Sequence, residues 1–165
     1  MGKSRSQLNP KRRKHGKTRR GYNKRQSKTK NLNLKFSIIG CNANGLSGKF
    51  DSLENAINQF NRPSCITLQE TKLRSSNIKI PGYQTFLKNR TGYGGGLLTA
   101  IEANLSPILV SSPEKEILVV QVNVCHLKVK IINAYVPQED DNTNNIYEFW
   151  HELEKEVQGW AIPCV

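Results

Sequence analysis

Apolar and polar positions alternate along this chain in short runs whose period switches between two and three-to-four, and no such run occurs before Leu32. From Leu34, the segment Leu-Lys-Phe-Ser-Ile-Ile-Gly-Cys gathers β-branched and aromatic residues and predicts a strand ending at Asn42. After the turn signal Asn44-Gly45, Phe50, Leu53, Ile57 and Phe60 recur at helical spacing, and Arg62-Pro63 ends that helix. Ser64 to Leu68 predicts a second strand. Strand, helix and strand within roughly 35 residues predict a parallel crossover whose two strand ends meet at one edge.

Tyr83 to Leu87, Gly95 to Ile101, Ile117 to Val124 and Leu127 to Ala134 predict further strands, the last two alternating and joined at Cys125-His126 as a hairpin. A closing helix is expected to start on Asp141 or Asn142, to bury Ile146, Phe149, Trp150, Leu153 and Val157, and to stop at Gly159. Ala161 to Val165 looks like the start of another strand. There are no internal repeats, and the pattern as a whole is mixed α/β.

Charge divides the chain. Of the 25 Lys and Arg residues in the 165, 13 lie in Met1 to Lys30 with no acid among them, whereas Asn31 to Val165 holds 12 basic against 13 acidic residues. The net +12 therefore belongs to the first segment. Residues 1–31 are expected to form a disordered basic tail, because such a segment cannot bury enough apolar surface to offset its conformational entropy, and residues 32–165 the folded part. A polyanion is the natural partner of the tail, since each neutralised phosphate releases condensed counterions. Lys11, Arg12, Arg13, Lys14, Arg19 and Arg20 are its candidate nucleic-acid contacts, to DNA or alternatively RNA, and a nuclear-import signal fits the same composition. A solvated tail without a receptor is the alternative.

No apolar stretch near the start suits a secretory signal, and the apolar runs near Leu97 and Ile117 fall far short of the ~20 residues of a membrane-spanning helix. A nuclear or cytoplasmic protein, neither secreted nor membrane-bound, is expected. Cys41, Cys65, Cys125 and Cys164 are widely spaced with no CxxC pair, which predicts reduced, buried thiols rather than a zinc site.

Open sheets bind ligands beyond the carboxyl ends of parallel strands, where loops converge. Asn42, Asn44 and Glu70 fall at that edge. A carboxylate directly after the apolar run Ile66-Thr67-Leu68 is costly unless it is paired or coordinates a cation. Magnesium suits it, because this hard ion takes oxygen ligands, keeps several waters and often uses only one or two protein carboxylates.

Five segments in order then resemble the endonuclease/exonuclease/phosphatase superfamily, and within it the apurinic-endonuclease-like nuclease of non-LTR retrotransposons. They are Cys41-Asn42-Ala43-Asn44-Gly45-Leu46, Gln69-Glu70-Thr71-Lys72, Gly82-Tyr83, Gly92 to Leu98, and Asn133-Ala134-Tyr135-Val136-Pro137. The resemblance covers roughly Leu34 to Val165. It implies the N-terminal half of a two-sheet α/β sandwich, of the deoxyribonuclease and apurinic-endonuclease type, hydrolysing DNA phosphodiesters with Mg²⁺ or Mn²⁺. It further implies that Asn42 orients the site, that Glu70 ligates the metal with Asn44 nearby, and that Tyr135 lies close to the scissile phosphate. Lys72 and Gln138 would contact nucleic acid, although Gln138 stands where the family often carries Asn.

The family's Asp-x-Asn motif, later Asp and terminal Asp-His pair do not follow, so the chain is expected to be truncated and inactive alone, with exposed apolar surface that a downstream segment or second chain completes. His15, His126 and His151 do not substitute for the missing groups. The glycines of 92–96 run into a strand, unlike a P-loop, and Glu139-Asp140-Asp141 favours the start of the following helix. A phosphatase of the same superfamily, and a nucleic-acid-binding relic without catalysis, stay open as alternatives.

Overall fold

The structure is a computed structural model and describes residues 2, 35–74, 77–90, 94–136 and 143–158. The basic tail divides from the rest near residue 32. Its cations, Gln138, the cap of the last helix, Gly159 and Ala161 to Val165 lie outside the described residues.

Among the described residues seven strands form two sheets. β1 (Ile38–Asn42) pairs in parallel with β2 (Cys65–Gln69), so that α1 (Phe50–Gln59) is the crossover the sequence predicts. β3 (Tyr83–Lys88) and β4 (Leu97–Glu102) extend this sheet antiparallel, in the order β1-β2-β4-β3. The second sheet, β5-β6-β7, consists of β5 (Ile108–Ser111), β6 (Ile117–Val124) and β7 (Leu127–Ala134), with α2 (Thr143–Gln158) after it. β5 was not expected from the sequence. Its three apolar residues Ile108, Leu109 and Val110 are all exposed on an edge, so no alternation marks it.

Burial explains the layers. Leu98 and Ala100 of β4 and Ile66 and Leu68 of β2 pack with Ile57 of α1, while Cys65 and Ile101 meet Val120, Val122 and Ile131 between the sheets. On the far side Ile117 and Val119 of β6 pack with Phe149 of α2. β4 and β6 are therefore covered on both faces, which is why Leu97 to Ile101 and Ile117 to Val120 read as continuous apolar runs. The turn Cys125-His126 has positive φ at both residues (49° and 69°), the geometry that matches a two-residue hairpin to strand twist.

Several expectations need correction. The first strand starts at Ile38; ahead of it Ser37 O accepts from Cys65 N at 3.0 Å, and the pairing goes no further back. Phe50 at the start of α1, Phe60 just past its end, and Trp150 and Val157 of α2 are exposed; the residues packed on the sheets are Leu53 and Ile57 in α1 and Phe149 and Leu153 in α2, with Ile146 half-buried as well. Of the described cysteines, all free, only Cys65 is buried; Cys41 sits on the edge strand and Cys125 in the hairpin turn.

Candidate active site

The ends of β1, β2 and β7 converge on Glu70. Parallel pairing sets Asn42 opposite Gln69, so the next residue of β2 leaves the sheet beside the loop that follows β1. Glu70 and Lys72 both adopt left-handed backbone, with φ of 49° and 52°, a conformation costly for residues with side chains and held here by hydrogen bonds on two sides. On one side Gly45 N and Leu46 N donate to Glu70 O and Thr71 O, each at 2.8 Å. On the other, Thr71 N and Lys72 N donate to Gly96 O and Gly95 O, at 3.0 and 2.8 Å.

The glycine turn fits this role. Gly96 has φ of 91°, and a Cβ there would lie 2.8 Å from Thr71 Oγ1, so both conformation and space demand glycine. Glu116, ahead of β6, fastens the same turn: its Oε1 accepts from Gly96 N at 2.7 Å, and its backbone O accepts from Tyr135 N at 2.9 Å.

Tyr135 reaches Glu70 across the seam between the sheets. Its hydroxyl donates a short hydrogen bond to Glu70 Oε1. The Asn42 side chain also hydrogen-bonds Glu70, and Lys72 Nζ lies 3.5 Å from Oε2. The Tyr135 hydroxyl first, then Asn42 and the Lys72 ammonium, hold the Glu70 carboxyl below its ordinary value, against a partial opposing effect of burial. Asn42 Oδ1 accepts from Asn44 N at 2.9 Å, and Asn44 Oδ1 accepts from Lys72 Nζ at 2.6 Å.

The structure thus brings together Asn42, Asn44, Glu70, Lys72 and Tyr135. His126 and His151 are exposed, on the hairpin turn and on α2, away from this cluster. Among the described residues no group of three or more His, Cys, Asp and Glu side chains converges as a metal site, and Glu70 is the carboxylate of this one. Lys72 has a double position. It was read as a nucleic-acid contact, yet its ammonium bridges the oxygens of Asn44 and Glu70.

Three residues support the site in a role the sequence did not assign, although Gln69 and Asn133 stand in the quoted motifs. Asn133 is buried in β7 and donates to Leu68 O (3.2 Å), Leu98 O (3.0 Å) and Thr99 Oγ1 (3.3 Å), tying one sheet to the other two residues before Tyr135. Gln69 Nε2 reaches Asn133 Oδ1 and Ala134 O, both at 3.4 Å. An asparagine after Ile131-Ile132 was a signal for such a role, because a polar group inside an apolar run needs partners. Glu116 carried no signal, being one acid among the charges Glu114-Lys115-Glu116.

No family model matches the sequence, and no curated protein matches it. Solved structures do. The 3' phosphatase NExo from Neisseria, bound to a product DNA hairpin, matches with a TM-score of 0.58 at 17% identity over 76% of this chain and 52% of that one. TDP2 from D. rerio, complexed with a single-strand DNA product, gives 0.53 at 16% identity over 76% and 56%. An AP endonuclease from Archaeoglobus fulgidus gives 0.54 at 19% identity over 77% and 52%. The chain therefore has the two-sheet α/β fold of these enzymes, and it spans about half the length of each.

Proposed function

We propose that this chain carries the first part of a metal-dependent DNA phosphodiesterase of the endonuclease/exonuclease/phosphatase superfamily, of the retroelement endonuclease type. The observation that carries the reading is the convergence of Tyr135, Asn42 and Lys72 on Glu70 at the carboxyl edge of the parallel pair. The fold shared with enzymes crystallised on DNA products supports the substrate class, and the five ordered sequence motifs support the retroelement type.

The donor set fits Mg²⁺ or Mn²⁺: a carboxylate with amide oxygens beside it, of which a Glu70 carboxylate oxygen and the Asn44 amide oxygen already face a single cationic nitrogen. Glu70, with Asn44 nearby, would hold the ion, which neutralises phosphate charge and lowers the pKa of bound water. Asn42 and the Tyr135 hydroxyl keep the Glu70 carboxylate ionised and aimed. Tyr135 is also placed to donate to a phosphate oxygen at this edge, and the Lys72 ammonium to balance phosphate charge. Water activation needs a further base, which we assign to residues outside the described ones, from a downstream segment or a second chain. The basic tail would hold DNA, or alternatively RNA, close to the site, in the nucleus or cytoplasm.

The test is supercoiled-plasmid nicking in Mg²⁺ by the chain as given, by a version continued through the downstream reading frame, and by that version with Glu70→Ala. Nicking by the continued version alone, abolished by Glu70→Ala, supports the reading; no nicking by either leaves the second reading, a nucleic-acid-binding chain without hydrolysis. Nicking by the chain as given removes the need for further groups.

A further inference from the structure

A groove beside the Glu70 site shares Lys72 with it, and the hydrolytic role gives its other lining residues nothing to do. A cavity of about 630 Å³ is lined by Phe50 at the start of α1 and by Lys72, Leu73, Arg74 and Lys79 from the segment after β2. Lys72 belongs to both places, since its ammonium bridges Glu70 and Asn44 while its side chain walls the groove. Among the described residues three cations and no acid line it, although Asn31 to Val165 is close to neutral with 12 basic and 13 acidic residues. Phe50 is 40% exposed on the groove wall. α1 gains nothing in packing from that exposure, because the helix packs against the sheet core through Leu53 and Ile57.

We propose that this groove holds the unpaired nucleotides of a single strand running away from the phosphate at Glu70, with Arg74 and Lys79 on successive phosphates and a base stacked on Phe50. Cations tracking a backbone beside an aromatic face form the recurring physical basis of single-strand binding, because every base offers a π-face whatever its sequence. The cavity has the size of a small-ligand site, within roughly 300–1,000 Å³, which suits bases turned out of a duplex better than the duplex itself. A purely anionic ligand would need the three cations but would leave Phe50 without a partner. The inference rests on the nucleic-acid reading of the Glu70 site but not on hydrolysis.

The test measures binding of fluorescent oligonucleotides to the full chain, in EDTA so that no metal-dependent cleavage intervenes, over a range of salt. The basic tail is present in every variant, so its contribution cancels in the comparison. For a single-stranded DNA 12-mer, Arg74→Ala with Lys79→Ala should reduce the magnitude of the log–log salt slope by about 1.4, the release from two phosphates of a single strand. Phe50→Ala should weaken binding roughly fivefold or more, as loss of one stacked base does, and Phe50→Trp should restore it. The same Phe50→Ala change should have no effect on an abasic strand of equal length, and less effect on a duplex. An unchanged salt slope overturns the phosphate path. Equal losses for the normal and abasic strands overturn the stacking role, and losses from Phe50→Ala and from Arg74→Ala with Lys79→Ala that are as large on a duplex as on the single strand overturn the proposal as a whole. An RNA 12-mer distinguishes the two strand chemistries: an equal Phe50→Ala loss on RNA assigns the groove to either sugar, and no loss on RNA assigns it to DNA. If these results hold while the continued protein fails to nick plasmid, binding stands and hydrolysis falls; the reverse pattern removes the groove and leaves the nuclease reading intact.

Discussion

The Tyr135 hydroxyl donates to Glu70 Oε1 from the opposite sheet, so the carboxylate of one sheet is held by the strand end of the other. Residues 65 positions apart in sequence form this contact, and it depends on both sheets stacking in register. Any change in that stacking reaches Glu70 directly.

Tyr135→Phe tests the contact through acid stability. Glu70 titrates below its ordinary value of 4.5 in the folded chain, so its interactions contribute stability that is complete above the unfolded value and is lost as pH falls through the folded one. The melting temperature should therefore fall in that acid window, and Tyr135→Phe, which removes the largest cause of the shift, should make the fall shallower. Glu70→Gln should remove this part of the pH dependence. Equal pH profiles for all three chains, followed by circular dichroism, would show that the hydrogen bond is not made in solution.

Asn133→Ala should destabilise the fold by about 1–3 kcal/mol in urea, because it removes the donor to Leu68 O and Leu98 O and leaves a cavity in its place. Asn133→Asp should cost more, since the change places a charge among backbone carbonyl oxygens that repel it. A neutral result for both would mean that the sheets are held by apolar packing alone.

Gly96→Ala and Gly48→Ala separate conformation from space. Both glycines have positive φ, 91° and 73°, but only at Gly96 does an added Cβ meet an atom, Thr71 Oγ1 at 2.8 Å; nothing lies within 4 Å at Gly48. Each substitution should cost about 1–3 kcal/mol for the backbone, with Gly96→Ala the more severe. Gly96→Ala should also displace the backbone of Thr71 and Lys72, which would be read as altered amide exchange beside Glu70, whereas Gly48→Ala should not.

Thiol labelling at pH 8 should modify Cys41 and Cys125 in the folded chain and spare Cys65. Burial pushes the Cys65 thiol up to about 12, which leaves it protonated, while the other two are exposed. Peptide mapping by mass spectrometry identifies the sites. Labelling of Cys65 at the rate of Cys41 would mean that the two sheets separate readily.

The elements that could be read from the sequence are those in which local pattern and burial agree. Leu97 to Ile101 and Ile117 to Val120 are apolar without a break because both faces are covered, and the helical spacing of Leu53 and Ile57 marks the face of α1 that meets the sheet. β5 was illegible for the opposite reason: Ile108, Leu109 and Val110 are exposed, so neither face leaves a pattern. Trp150 and Val157 were misread because spacing alone shows that a helix has an apolar side, not how much of that side the neighbouring sheet covers.

The candidate site divides along the same line. Glu70 and Asn42 stand out in the sequence, a carboxylate and an amide at the ends of two apolar runs that a short crossover must set side by side. Local order along the chain is enough for that inference, because parallel pairing aligns strand ends. That the Tyr135 hydroxyl reaches Glu70, that Asn133 joins the sheets beneath it, that Glu116 fastens both the glycine turn and Tyr135, and that Lys72 bridges Asn44 and Glu70 were decided only by tertiary structure. Each is a directional hydrogen bond or ion pair whose partners are set by how two sheets stack, and hydrophobic periodicity, which records only the side of an element that faces the core, carries no information about which polar atoms will then be opposite one another.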